Sequence, residues 1–292
     1  MKSLEKFEFT TWDGPFSEEE KKKALLSLES GKVLFFPHLP FGLKEDEKKF
    51  LNTQMVDPKS KNVSFNYRTD TLAGTLYTLQ EAEKLKNMIK RYSATCQLFV
   101  ETLMPAYRSH LIRAKTSFRP VEIQGRKSSY RKDDTRLHVD AFPSNPTKGE
   151  RILRLFTNIN PEGKPRVWRV GEPFEQVVEK MGPKVTPPLF GHAHLMKFLK
   201  ITKSLRTPYD HTMLQIHNLM KKDEEYQLTV SQEEIHFPAG SSWMVYTDQV
   251  SHAAMSGQYV LEQTFHLPVR GNQHHTLAPL KVLERYFEKT LL

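Results

Sequence analysis

Residues 133–140, DDTRLHVD, end a short extended run in a His-x-Asp pair, His138 and Asp140, and some 110 residues later VSHA (250–253) brings a second histidine, His252. Side chains two apart on a strand share a face, so His138 and Asp140 can point at one metal ion while His252 closes a third corner. Two imidazoles and one carboxylate leave the opposite coordination positions open, the ligand set of a non-heme Fe(II) oxygenase. With 12 histidines in the chain, any one alone says little, and His192, His194, His211, His217, His236 and His266 compete as third ligand. His252 is preferred because its surroundings repeat those of His138: a strand at Trp243–Tyr246, a turn, a strand opening at Ser251-His252, then Gly257 turning the chain into Tyr259–Phe265.

Outward from these motifs, the hydrophobic period divides the chain. Ser17 followed by three glutamates opens a helix that closes near Gly31, and Val33–Phe36 reads as a buried strand. A charged helix is expected from Lys44 to about Leu51. Leu85, Ile89, Tyr92, Cys96, Phe99 and Leu103 step by three and four, predicting a long amphipathic helix over about 80–103 that Pro105 ends. From about residue 118 the period becomes extended: Val121–Ile123, Arg136–Asp140, Arg151–Ile159, Gln227–Val230, Ser242–Tyr246 and Tyr259–Leu267 read as strands. The expected fold is mainly β with flanking helices, a double-stranded β-helix (jelly-roll, cupin-like) core, in a single domain over 1–292. Its parts are a helical N-terminal region (1–117), the core (118–270) with a helical insertion (172–222), and a C-terminal helix within 271–292.

Composition excludes several classes. Hydrophobic residues are 38% and aromatics 11%, too apolar for a disordered chain, and no repeat or low-complexity tract appears. The single cysteine, Cys96, excludes an internal disulfide and is read as a core filler in a reducing, cytoplasmic setting. The N-terminus lacks the apolar stretch of a signal peptide, and no run approaches the length of a membrane span, so membrane contact is expected to be peripheral. The net charge is +9, and residues 108–136 hold nine Lys or Arg against Glu122, Asp133 and Asp134, favouring an anionic partner. No aromatic-interleaved basic ribbon accompanies them, so nucleic acid is not the expected partner.

Iron oxygenases of this type commonly draw two electrons from 2-oxoglutarate, whose distal carboxylate needs a cation inside the barrel. Arg154 interrupts the apolar run Ile152-Leu153 and Leu155-Phe156; such a charge must be paired or ligand-bound, either as the carboxylate anchor or in an internal ion pair. Arg270 is the second choice. Thr135, Asn158 and Thr264 are weaker candidates for hydrogen bonds to the cosubstrate.

The stretch from His138 to Pro161, HVDAFPSNPTKGERILRLFTNINP, resembles the bacterial Kdo hydroxylase family, and the likeness covers most of the chain. The resemblance implies a 2-oxoglutarate/Fe(II) dioxygenase that adds a hydroxyl at carbon 3 of a 3-deoxy-D-manno-oct-2-ulosonic acid (Kdo) residue attached to lipid A, with His138, Asp140 and His252 on the metal. It also gives the basic segment a partner: Arg119, Arg126, Arg131, Arg136, Lys148 and Arg151 become candidates for binding the Kdo carboxylate or lipid A phosphates at the cytoplasmic face of the inner membrane. Rival readings are a related oxygenase acting on another lipid or on nucleic acid, and a jelly-roll protein holding zinc or manganese in the same three residues.

Overall fold

The computed structural model describes residues 3–125, 129–188 and 191–292. Among the described residues, eleven strands form two sheets. The large sheet has the order β1 (Leu4–Lys6), β2 (Val33–Phe36), β9 (Ser242–Tyr246), β6 (Arg151–Asn158), β11 (Val260–Leu267), β5 (Ile112–Arg119), β3 (Val63–Asn66) and β4 (Thr71–Ala73). The small sheet is β10 (His252–Ser256), β7 (Arg166–Val170) and β8 (Glu233–Phe237). One apolar cluster joins Phe156, Trp243, Val245 and Val260 of the large sheet to Trp168, Phe237 and Ala254 of the small one, so the sheets pack face to face as a jelly roll. Its centre is an aromatic stack: Trp243 lies between Phe156 and Phe237, with ring centroids at 5.1 and 4.1 Å.

Alternation along each strand decides what faces this interior. Leu153, Leu155, Met244, Tyr246, Leu261 and Phe265 turn outward to a second core beneath α1 (Glu18–Glu29) and α2 (Leu79–Leu103). Their even-odd neighbours Phe156, Trp243, Val245 and Val260 turn inward, and Arg154 and Glu262 share that parity. The helices follow from their sequence signals. Ser17 and Glu20 complete the capping box that starts α1, and α2 stops at Met104, ahead of Pro105. Cys96 is fully buried in this core, and burial pushes its thiol pKa up, as befits a filler.

The outer side of the small sheet is covered in part by α3 (Phe174–Met181), α5 (Pro208–Lys222), α6 (Glu224–Thr229) and α7 (Pro279–Phe287), with α4 (His192–Phe198) lying between α3 and α5 in the chain: Leu137, Val139 and Ala253 pack into a third core with Val177, Met213 and Leu283 of α3, α5 and α7.

Several expected elements differ. Besides the expected strand β2, the N-terminal region expected to be helical also supplies β1, β3, β4 and most of β5, three- to eight-residue strands whose alternation is too brief to stand out. Val121–Ile123 is not a strand, because Pro120 ends β5. Gln227–Val230 falls on α6, which Asp223 caps by accepting the Tyr226 N–H. Arg136–Asp140 makes only a single bridge, His138 to His252.

Candidate functional site

The segment 134–140 lies along the edge of the small sheet. The Ala254 N–H donates to the Asp134 carbonyl, His138 and His252 exchange backbone hydrogen bonds of 3.0 and 2.9 Å, and the Asp140 N–H reaches the Thr247 carbonyl. On its other side, where a further strand would pair, α5 and α6 stand instead. Gln227 accepts the Leu137 N–H and donates to the Leu137 carbonyl, while the His217 ring bonds the Val139 carbonyl at 2.8 Å. Leu137 and Val139 therefore face the helices, and His138 and Asp140 face the interior beside His252.

Ligand-capable atoms of His138, Asp140 and His252 all lie within 4.8 Å of one another, and all three residues are buried. Nδ1 of His138 is 2.7 Å from the Arg136 carbonyl and Nδ1 of His252 is 2.8 Å from the Val250 carbonyl. A carbonyl only accepts, so each Nδ1 carries the proton and each Nε2 presents a lone pair. Burial lowers both imidazole pKa values, which keeps the rings neutral as a metal requires. Trp168 stacks on His252 with centroids 5.0 Å apart and fixes its plane. Burial alone would raise the Asp140 pKa, but Arg154, His252 and His138 outweigh it and hold the carboxyl well below the usual range. Oδ2 of Asp140 is buried without a hydrogen bond of good geometry, although Arg154 Nη2 stands 3.0 Å away as an ion-pair partner. Two neutral nitrogens and one ionised oxygen, oriented from behind, fit a divalent metal.

These groups line a cavity of about 240 Å³ with Lys61, Asn62, Arg119, Asp134, Arg154, Phe156, Arg166, Trp168 and Ala254. Its charged wall is continuous. Arg154 lies between Asp140 and Glu262, the latter at 3.4 Å, and Arg119 binds the other Glu262 oxygen through Nε at 2.6 Å and Nη2 at 2.5 Å. Lys61 is 3.5 Å from Asp134, and Arg166 donates to the carbonyl of Gly257. Gly257, at φ +108°, has no room for a Cβ, which would sit 3.0 Å from the Arg166 backbone. On this wall the cations Lys61, Arg119, Arg154 and Arg166 are interleaved with the carboxylates Asp134, Asp140 and Glu262.

A family model described as 3-deoxy-D-manno-oct-2-ulosonic acid (Kdo) hydroxylase matches residues 11–290. The chain belongs to the Kdo hydroxylase family. It is similar to a crystal structure of the Kdo hydroxylase KdoO, a non-heme Fe(II) alphaketoglutarate dependent dioxygenase, in complex with alphaketoglutarate and Fe(III): identity is 48%, coverage 100% of this chain and 98% of that chain, and TM-score 0.97. The same enzyme with succinate and Fe(III) gives 49% identity, 99% and 97% coverage and a TM-score of 0.96, and with cobalt(II) 49%, 99%, 97% and 0.97. A search of curated proteins returns no match.

Of the residues singled out in the sequence, the fold brings together His138, Asp140, His252, Arg154 and Arg119 on this Kdo hydroxylase family cavity. Thr264 pairs with Arg154 across β11 and β6 and donates to Glu262 at 3.2 Å, behind the same wall. The expectation for Arg154 left anchor and ion pair open; here it is ion-paired and also lines the cavity. Arg131 is exposed on a turn, Tyr130–Lys132, tied to the cavity by Lys61, which donates to the Lys132 carbonyl. Arg126 lies outside the described residues.

Others belong elsewhere. Arg270 is exposed after β11, away from the cavity wall. Asn158 donates to the Lys164 and Phe237 carbonyls and accepts the Asn160 N–H, so a turn uses its whole amide. The Thr135 hydroxyl closes a turn onto Asp133 at 2.6 Å. Arg151 is fully buried, bound to Asp248 and Gln249 and absent from the cavity wall, so a substrate does not reach it. Arg136 pairs with Glu224 at 2.8 Å and the Lys221 carbonyl, and Lys148 sits on an exposed turn whose backbone binds Asp210. Of the rival third ligands, His217 stands edge-on to His138 with ring centroids 5.1 Å apart while it bonds the Val139 carbonyl, and His236 bonds Glu234; the side chain of His192 lies outside the described residues. The sequence reading missed Lys61, Asn62, Arg166 and Trp168 on the wall and Gln227 behind it. Arg166 and Trp168 carried a signal, since RVWRV (166–170) alternates as a strand should.

Proposed function

We infer that the protein is an Fe(II)/2-oxoglutarate-dependent dioxygenase that hydroxylates a Kdo residue, at carbon 3 of the sugar in Kdo-lipid A. The observation that carries this reading is the convergence of two oriented Nε2 atoms and one ionised carboxylate on a cation-rich cavity, in a chain of the Kdo hydroxylase family. His138, Asp140 and His252 would hold the metal. When bound, Fe(II) with 2-oxoglutarate and dioxygen supplies a two-electron oxidation in which the cosubstrate leaves as succinate and carbon dioxide and one oxygen atom enters a C–H bond.

The chain's own residues position and balance these reactants. The Arg136 and Val250 carbonyls keep both imidazoles in the metal-binding tautomer. Arg154 holds Asp140 ionised and, with Arg119, presents guanidinium groups suited to a carboxylate. Lys61 and Arg166 are placed to meet the sugar acid. Phe156, Trp168 and Ala254 form the apolar part of the wall and limit water. Among the described residues no helix is long and apolar enough to cross a membrane. We place the enzyme at the cytoplasmic face of the inner membrane as a peripheral protein.

The test is incubation with Fe(II), 2-oxoglutarate and oxygen, with and without Kdo-lipid A, counting succinate and weighing the lipid product. Lipid-stimulated succinate with one added oxygen on Kdo is expected. Succinate that ignores the lipid would keep the oxygenase and remove the substrate.

A further inference from the structure

The segment from Leu195 to Ile201, LMKFLKI, leaves large apolar side chains in water. Phe198 is 81% exposed, Leu195 and Leu199 each 54%, and Ile201 46%. Apolar side chains scattered singly over a surface need no explanation, but four within seven residues make a patch that does. Cations are interleaved with them: Lys197, Lys200 and Lys203 are exposed, and residues 191–206 contain neither Asp nor Glu.

The patch is fastened beside the active site. Its C-terminal end is anchored by buried Thr202, by the Lys203 N–H donating to the Ser144 carbonyl at 3.0 Å, and by Arg206 donating to the Pro143 carbonyl at 2.7 Å. Pro143 and Ser144 follow Asp140 by three and four residues, so the turn that leaves the metal cluster carries the apolar projection.

We propose that residues 195–203 are the membrane-docking element of this enzyme, seating Phe198, Leu195 and Leu199 at the acyl boundary of an anionic bilayer while Lys197, Lys200 and Lys203 meet lipid phosphates. The composition selects this occupant. Lysine is depleted from the cores of protein interfaces because its ammonium is costly to desolvate, whereas at a bilayer it keeps its charge among headgroups as its apolar neighbours enter. The position selects it too, since an acceptor sugar carried on a lipid must be met at the membrane surface, next to the cavity. The proposal rests on the reading of the acceptor as lipid-linked Kdo.

The experiment is co-sedimentation of the full-length protein with vesicles of phosphatidylcholine, alone or mixed with phosphatidylglycerol. Turnover is measured in parallel on vesicle-borne Kdo-lipid A and on a water-soluble, lipid-free Kdo glycoside. Wild type should pellet with the anionic vesicles. Phe198→Asp should weaken that partition by roughly tenfold or more, and Lys197→Gln and Lys200→Gln by roughly fivefold per charge. Phe198→Asp should lose turnover on the vesicle-borne acceptor and keep it on the soluble one. Equal pelleting of variant and wild type overturns the proposal, and so does equal loss on both acceptors, which would make the segment part of the catalytic cavity. Absence of vesicle binding, with self-association that Phe198→Asp abolishes, also overturns it and assigns the patch to a second copy. Phe198-dependent pelleting with neither acceptor hydroxylated supports the docking surface and removes the Kdo assignment instead.

Discussion

The side-chain amide of Gln227 brackets the backbone of Leu137, accepting its N–H at 2.8 Å and donating to its carbonyl at 3.0 Å. A strand neighbour would make the same two bonds. Gln227 thus stands in for the missing strand on the outer side of the segment carrying His138, and Nε2 also donates to the Met220 carbonyl at 2.8 Å, which fixes the amide's orientation. Gln227→Glu keeps the acceptor and loses both donations, placing a carboxylate against two carbonyls. Because displacing a group behind a ligand typically weakens metal binding by roughly 10–100-fold, Co(II) affinity read from its visible absorption should fall by about tenfold or more. Affinity equal to wild type in a folded Gln227→Glu protein would mean that His138 is placed by the His252 bridge alone.

Arg154 joins Asp140 to Glu262, and Arg119 backs Glu262 from the other side. Arg154→Lys keeps the charge but cannot present two parallel N–H groups to a carboxylate. The expected outcome is a KM for 2-oxoglutarate raised by roughly tenfold, about 1.4 kcal/mol of binding, with a smaller change in kcat. A kcat loss at unchanged KM would assign Arg154 to holding Asp140 and leave the carboxylate to Arg119 or Arg166.

Arg151 and Arg154 sit on one strand yet play different parts. Arg151 binds Asp248 through Nε at 2.7 Å, and its guanidinium lies 3.7 Å from the centroid of Tyr246. Removing one partner of a buried pair strands the other, so Arg151→Met should cost roughly 3–5 kcal/mol of stability. The KM values of whatever protein remains folded should match wild type; a substrate KM that rises while the melting temperature holds would restore Arg151 to substrate binding.

These two arginines also mark how far the sequence can be read. The convergence of the proposed metal ligands was legible because a His-x-Asp pair on extended backbone constrains both side chains to one face, and the strands β2, β6, β9 and β11 were legible because their runs are rich in apolar side chains. The parity that turns Arg154 inward, and the fact that Arg151 meets Asp248 of a distant turn, are set by pairing between strands far apart in sequence. Gln227 was misread for a related reason. Its strand-like neighbours Leu228, Thr229 and Val230 outweighed the Asp223 cap, and a side chain that completes a sheet from a helix leaves no periodic trace.

Burial lowers the pKa of His138, His217, His252 and His266 below the ordinary 6.5. On unfolding each returns to that value, so below it the unfolded chain binds protons that the folded chain refuses. Stability of the metal-free protein is then full above about pH 6.5 and falls as the pH drops toward the folded-state values, each such histidine removing up to about 1.4 kcal/mol per pH unit. A metal held by the proposed ligands would deepen the dependence, because protons would compete for the Nε2 atoms of His138 and His252. Melting of the apoprotein between about pH 8 and pH 5 should therefore show a plateau and then a decline. His266→Gln, which touches no proposed ligand, should make the decline shallower, whereas a melting temperature flat across this range would mean that the four imidazoles reach solvent and titrate as in the unfolded chain.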